Sequence, residues 1–238
     1  MSTKNILIIY SGYDENGSTA TLAKYISNGV KSTLATTVKV VRARDIKDVS
    51  DINAADGYLL GSGDYNGNPE PEFFDFIDTI LLAGKSDDPN KPQIANKPFG
   101  VFCTSAGYAT GAQPVLNSMA RAFMTFNGIY VGGSSWHSGQ GVCGMIKDTT
   151  DPSGWDWDPY SKPYIEKTAE DYGRRLAIIT SFFNSSYNTA ANLPPKKGKE
   201  FTCPKSNDNI NKVIIVLAVL NMFLLLFLCI VMVRNDKK

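Results

Sequence analysis

Ser11, Ser18 and Thr19, with Gly12 and Gly17 between them, fall inside the run SGYDENGST, which joins an apolar segment, Asn5–Tyr10 (NILIIY), to a helix-like stretch, ATLAKYISNGV. A strand that turns into a helix through small residues builds an anion site. The first turn of such a helix leaves backbone N–H groups unpaired and carries the positive end of the helix dipole. The hydroxyls add side-chain donors, and the glycines permit the turns that bring backbone close to an anion. Phosphate is the expected occupant, with Tyr13 and Asn16 in the same loop. An ordinary strand-to-helix turn with a Ser/Thr cap has the same local pattern. Two later stretches share the character. Gly61–Asp78 (GSGDYNGNPEPEFFDFID) and Cys103–Gly111 (CTSAGYATG) each combine small residues with an aromatic, Tyr65 or Tyr108, that could cover a flat ring.

The elements that must position these loops alternate along the chain. Strand-like runs at Asn5–Tyr10, Thr37–Val41, Gly57–Gly61, Phe99–Cys103 and Ile129–Gly132 are separated by helical patterns near Ser18–Ser32, Pro71–Leu82, Ala112–Phe126 and Pro163–Phe183. This predicts an α/β three-layer sandwich around a five-stranded parallel sheet. The last helix shows its buried stripe: Ile165, Ala169, Tyr172, Leu176 and Ile179 recur at steps of three and four. In an open parallel sheet ligands bind beyond the carboxyl ends of strands, so the loops after the first, third and fourth strands should converge.

Other motifs carry less. Gly139–Gly144 (GQGVCG) fits a GxGxxG pattern and follows a strand, but turn-rich MIKDTTDPSG comes next, where a dinucleotide site needs a helix. Cys103 continues an apolar strand, which argues against a thiol nucleophile paired with His137. Asp151–Pro159 (DPSGWDWDP) clusters acids and two tryptophans without metal-ligand spacing and reads as a capping or interface loop that could border a nicotinamide approach. Cys103, Cys143 in a glycine-rich loop, Cys203 and Cys229 are too scattered for a disulfide framework and fit a reducing compartment. Zinc is unsupported, because His137 is the only histidine.

The Gly61–Asp78 stretch resembles, without gaps, the loop and helix after strand three in flavodoxin-like FMN-dependent reductases, namely the WrbA quinone oxidoreductases and the NADPH-dependent FMN reductases. In the latter a Pro-Glu-Tyr-Asn-Gly run holds the flavin ring, and Gly63-Asp64-Tyr65-Asn66-Gly67 stands in its place here. SGYDENGST is similar to that group's Ser-Pro-Arg-Lys-Asn-Gly-Asn-Thr, with Ser11, Asn16, Gly17 and Thr19 matching, and TSAGYATG resembles the WrbA Ser-Thr-Gly-Thr-Gly-Gly loop. The resemblance spans residues 4–183 and implies bound FMN. Its phosphate would lie against Ser11, Gly17, Ser18 and Thr19, with Tyr13 and Asn16 as further cofactor-binding residues of that loop. Its ring would lie against Ser62, Gly63, Asp64, Tyr65, Asn66, Gly67, Thr104, Ser105, Ala106, Gly107 and Tyr108. WrbA proteins place a histidine near the flavin in a His-His-Gly run; here that stretch reads Phe126-Asn127-Gly128, and Trp136 and His137 lie further on as candidate ring or substrate contacts. WrbA-like proteins assemble as tetramers, which leaves a homo-oligomer open.

The C-terminal region has a different character. Residues 185–212 are rich in Asn, Ser, Thr, Pro and Lys and read as a flexible basic linker. Residues 213–233 (VIIVLAVLNMFLLLFLCIVMV) form an apolar run of the length needed to span a bilayer, broken by Asn221 alone. Only the short basic tail 234–238 follows, so the run is expected to insert after translation as a tail anchor, leaving residues 1–184 facing the cytosol. Charge divides accordingly: residues 1–184 carry 16 Lys/Arg against 20 Asp/Glu, and residues 185–238 carry 8 against 3. A mildly acidic domain argues against nucleic-acid binding, while Lys196, Lys197 and Lys199 suit anionic headgroups.

The expectation is a tail-anchored FMN protein that takes a hydride from NAD(P)H and passes two electrons to a quinone or similar acceptor. A one-electron flavodoxin-type carrier for a membrane partner is the second reading. A non-enzymatic interaction protein that kept the fold and lost the cofactor is the third.

Overall fold

The computed structural model describes residues 3–82, 94–106, 112–135, 138–147 and 154–191, with side chains to residue 183. The chain divides into two compact units, Met1–Asn192 and Leu193–Lys238, and every described residue belongs to the first. Gly107, Tyr108, Trp136, His137 and the apolar run 213–233 lie outside the described residues. Among the described residues no helix is long and apolar enough to cross a membrane.

The elements are β1 (Lys4–Tyr10), α1 (Ser18–Lys31), β2 (Thr36–Arg42), a 3-10 turn (Ala43–Asp45), α2 (Val49–Asn53), β3 (Gly57–Tyr65), β4 (Asn68–Pro69), α3 (Pro71–Phe76), β5 (Pro98–Ser105), α4 (Ala112–Thr125), β6 (Ile129–Tyr130), β7 (Val142–Met145) and α5 (Lys162–Ala191). A π-helical turn, Ile77–Leu81, extends α3 and completes the helical span expected there. Strand order is β2-β1-β3-β5-β6, with the ladders of this path parallel throughout. Sequential strands lie on opposite sides of β1, so the sheet is doubly wound with its switch point between β1 and β3.

Alternation along β1 sorts the core. Ile6, Ile8 and Tyr10 pack with Leu22, Ile26, Tyr172 and Leu176 of α1 and α5 on one face. Leu7 and Ile9 pack with Tyr58, Leu60, Phe73, Met119 and Phe123 on the other, against α3 and α4. Three layers follow from that alternation. The stripe expected on α5 is buried at Ile165, Ala169, Tyr172 and Leu176, and Ile179 packs against its edge. The helix continues to Ala191, into the segment read as linker.

The five-strand expectation needs correction at the far edge. β6 holds only two residues, pairing with Pro98 and Phe99, and the chain leaves the sheet at Val131. It returns as β7, which pairs with Phe102–Ser105, so the fifth position is filled by two strands in series. Cys143, read as a loop residue, is therefore in a strand, in register with Cys103. The gap between the two is closed by a side chain. The Val101 N–H donates to the Tyr172 hydroxyl at 2.9 Å, and that hydroxyl donates to the Val131 carbonyl at 2.9 Å. One oxygen of α5 thus replaces a ladder bond. Gly100 makes room for it, since a Cβ there would lie 2.1 Å from the Tyr172 oxygen. Gly141, with φ +117°, passes over the Val101 carbonyl at a distance no Cβ could tolerate. The literal GxGxxG run is thereby a sheet-edge device.

Tyr172→Phe keeps the ring but leaves a buried N–H and C=O unpaired, so it is expected to lower the unfolding free energy by about 3 kcal/mol. Urea unfolding followed by circular dichroism measures this; a loss well below about 1 kcal/mol would show that the hydroxyl does not bridge the gap.

Candidate functional site

The carboxyl ends of β1, β3 and β5 open onto one pocket of about 260 Å³ at the switch point. The loop after β1 supplies Gly12, Tyr13, Asp14, Gly17, Ser18 and Thr19; the end of β3 supplies Gly63, Asp64 and Tyr65; the end of β5 supplies Thr104, Ser105 and Ala106. Ile146 and Trp155 complete the wall. A larger cavity, about 520 Å³, lies along α5 between Tyr164 and Ile179 and takes in Ser134 and Ser135 beyond β6 but none of the loops after β1, β3 and β5. In a doubly wound sheet the pocket at the strand ends is the candidate site, whatever its relative size.

α1 is entered through Gly17, whose extended backbone precedes the helix and offers no side-chain cap to its first turn. Its N-terminal N–H groups are thus directed at the pocket without a competing side chain. The Asp14 side chain bends the loop by accepting from the Asn16 N–H at 3.0 Å, and the Asp14 carbonyl accepts from Gly17 N–H at 3.1 Å. Behind the first turn the hydroxyls of Thr19 and Thr104 lie 2.7 Å apart, and Ser18 donates to Thr104 at 3.3 Å. These bonds tie the start of α1 to the end of β5.

The β3 loop closes as a hairpin. Asn66 and Gly67 have φ of 54° and 80°, the left-handed pair that closes a two-residue hairpin between β3 and β4, with Tyr65 opposite Asn68. Asn66 and Gly67 therefore form a hairpin tip and do not line the pocket, although the Asn-Gly pair is a hairpin signal in its own right. Asp64 holds the hairpin: its carboxylate accepts from Gly67 N–H at 2.7 Å and from the Ser105 hydroxyl at 2.7 Å. Ser62 is buried, donating to the Gly63 carbonyl and accepting from Glu70 N–H, both at 2.8 Å. Ser11 is also buried, bonded to the Gly61 carbonyl. Asn16 is exposed on the loop. So Tyr13, Gly17, Ser18, Thr19, Gly63, Asp64, Tyr65, Thr104, Ser105 and Ala106 are brought together, whereas Ser11, Asn16, Ser62, Asn66 and Gly67 support the loops from outside the pocket. Asp14, Ile146 and Trp155 belong to the wall unforeseen; the paired tryptophans before α5 were the signal for the last.

Electrostatics come from beneath. Arg42, at the end of β2, is buried and forms a two-pronged pair with Glu72 on α3, at 3.2 and 3.1 Å, while also donating to the Gly12 carbonyl. It clamps the first loop to α3. Among the described residues no Lys or Arg lines the pocket, so an anion there would be held by N–H dipoles and hydroxyls. Burial and, second, the Glu72 charge raise the Glu70 carboxyl above its ordinary range, against the lowering effect of Tyr65, Arg42 and Arg44. Burial and then Glu70 push the Tyr65 phenol up to about 12. Cys103 is pushed up by its contact with Cys143 and then by burial, which keeps it a thiol.

No protein-family model matches the chain, and no curated protein matches it by sequence. Solved structures match it by shape. A flavodoxin from the domain Archaea superposes with a TM-score of 0.54 at 15% identity, covering 74% of this chain and 99% of its own. The flavodoxin, WrbA-like protein from Agrobacterium tumefaciens gives 0.51 at 17%, covering 76% and 99%. An oxidoreductase from Corynebacterium diphtheriae gives 0.55 at 16%, also covering 76% and 99%. The fold is flavodoxin-like.

Two outcomes follow. Arg42→Leu strands the largely buried Glu72 carboxylate and is expected to cost about 3 kcal/mol in urea unfolding; a cost near zero would mean the clamp is not formed. A raised carboxyl means the folded chain holds the Glu70 proton more tightly than the unfolded chain, so its stabilising contribution is present below the ordinary value of 4.5 and is lost as pH rises through the folded one. Glu70→Gln should therefore leave stability near pH 4 almost unchanged and raise it at pH 7, as thermal unfolding at both values would record.

Proposed function

We propose that this chain is a membrane-anchored FMN-dependent oxidoreductase that carries two electrons from NAD(P)H to a quinone or similar small acceptor. The observation that carries the reading is the convergence of three strand-end loops on an uncapped helix N-terminus, with hydroxyls behind it and aromatic rings at the rim. These residues fit a flavin mononucleotide. The N–H groups at the start of α1 and the hydroxyls of Ser18, Thr19 and Thr104 suit a phosphate, with charge supplied by the helix dipole. Tyr65 and Tyr13, 44% and 68% exposed, and Trp155 offer flat apolar surface for a ring. Asp64 does not oppose this arrangement through an unpaired charge, since Ser105 and Gly67 occupy both its oxygens. Bound FMN supplies hydride acceptance and electron transfer, and the protein supplies position and electrostatics.

The likeness to a WrbA-like protein and to an oxidoreductase supports a redox role over a scaffold role. The run 213–233 supports anchoring, with the domain on the cytosolic side. Anchoring would raise the encounter rate with lipophilic quinones through effective concentration.

The test is flavin analysis of the full chain purified in detergent, followed by NAD(P)H oxidation with a panel of quinones. One FMN per chain and quinone-dependent turnover are expected. A colourless protein that takes up no FMN sinks the reading, and photoreduction that halts at the one-electron stage replaces it with the carrier reading. Thr104→Val, which removes the hydroxyl shared by Ser18 and Thr19, should weaken FMN binding about tenfold in a fluorescence titration.

A further inference from the structure

Glu70 lies beside the pocket in a position that holding FMN does not require. It precedes α3, and its backbone N–H is anchored to the Ser62 hydroxyl at 2.8 Å. Its carboxyl is turned inward, and among the described residues the buried Oε2 has no hydrogen-bond partner. The Tyr65 hydroxyl lies close enough to this carboxyl for the two groups to shift each other's titration, while the Tyr65 ring lines the pocket. The groups facing Glu70 are Tyr65 from β3, Glu72 from α3, Arg42 from β2 and Arg44 from the 3-10 turn. Arg42 does not neutralise it, because its guanidinium is committed to Glu72 and the Gly12 carbonyl. A carboxylate with one oxygen buried and undonated is costly, whereas the protonated acid places a hydrogen where it can be passed on. The burial and the Glu72 charge that oppose ionisation make this the carboxyl at the site suited to keep and lend a proton. Asp64, the neighbouring acid, has both oxygens occupied.

We propose that Glu70 is the proton reservoir of the pocket and that the Tyr65 hydroxyl passes its proton to the acceptor reduced there. This rests on the redox reading above. A quinone that becomes a hydroquinone takes up a hydride and one further proton. That proton leaves the Tyr65 O–H for the quinone oxygen as the Glu70 O–H breaks and its proton restores the phenol. The Glu70 carboxylate regains a proton from water, so protons balance and the residues undergo no redox change. Tyr65 is the group that touches the acceptor; Glu70 acts through it.

The experiment compares the full chain with Glu70→Gln and Tyr65→Phe, each measured for FMN content, for the pH profile of quinone reduction, and by infrared spectroscopy for protonated carboxyl. All three should bind FMN within about threefold of one another, a difference well under 1.4 kcal/mol. Wild-type turnover should fall as pH rises through the Glu70 titration. Both variants should lose that dependence and turn over about a hundredfold more slowly at its acidic end. The wild type should show a protonated-carboxyl band that persists above the ordinary glutamate range, vanishes in Glu70→Gln and shifts in Tyr65→Phe. A wild type without FMN overturns the redox reading and this inference with it. FMN bound throughout with an unchanged pH profile, or a carboxyl band indifferent to either substitution, overturns the inference alone, and the band is read even from a variant that fails to hold FMN.

Discussion

A single phenolic oxygen closes the sheet. Where β6 ends and β7 has not begun, Val101 N–H and Val131 C=O would face each other in the interior with no ladder bond between them, and the Tyr172 hydroxyl takes both. Burying unpaired backbone groups costs more than most side-chain contacts return, so a split strand is tolerable only with such a bridge. The consequence reaches the site. Because the chain leaves the sheet at Val131 and returns at Val142, β7 lies against the carboxyl half of β5, and Ile146 and Trp155 arrive at the pocket wall.

The pocket is held by cross-ties of one kind, polar side chains joining the ends of neighbouring strands. Arg42 joins β2, the first loop and α3; Ser18 and Thr19 join α1 to β5 through Thr104; Asp64 joins the hairpin to β5 through Ser105. Loops that carry chemistry are commonly the mobile parts of a fold. Here each has a buried anchor, so the groups facing the pocket are preorganised by residues that do not face it. Sites organised this way keep the donors of an anion site aligned at little cost on binding.

The absence of a lysine or arginine among the described lining residues bears on what such a site prefers. Dipoles and hydroxyls bind a phosphate through geometry more than through net charge, which suits a cofactor that must stay positioned while its ring changes charge. Arg42 is spent beneath the pocket on Glu72, and for Glu70 beside it burial and the Glu72 charge outweigh the pull of Arg42 and Arg44.

Much of the fold was legible in local pattern. The continuous apolar run NILIIY, the three-and-four spacing of Ile165, Ala169, Tyr172 and Leu176, and small residues after the strands point to a parallel sheet covered by helices, because burial periodicity and turn chemistry act over a few residues. Asn66-Gly67 shows the limit of that reading: the pair alone does not say which way it turns the chain, and pairing of Tyr65 with Asn68 places it at a hairpin tip. The split of the fifth strand, the Tyr172 bridge, the Arg42 clamp and the seating of Glu70 behind Tyr65 were decided only by tertiary structure. Each joins residues tens of positions apart or depends on how deeply a polar atom is buried, and neither distance in space nor loss of solvent is written in the order of the residues.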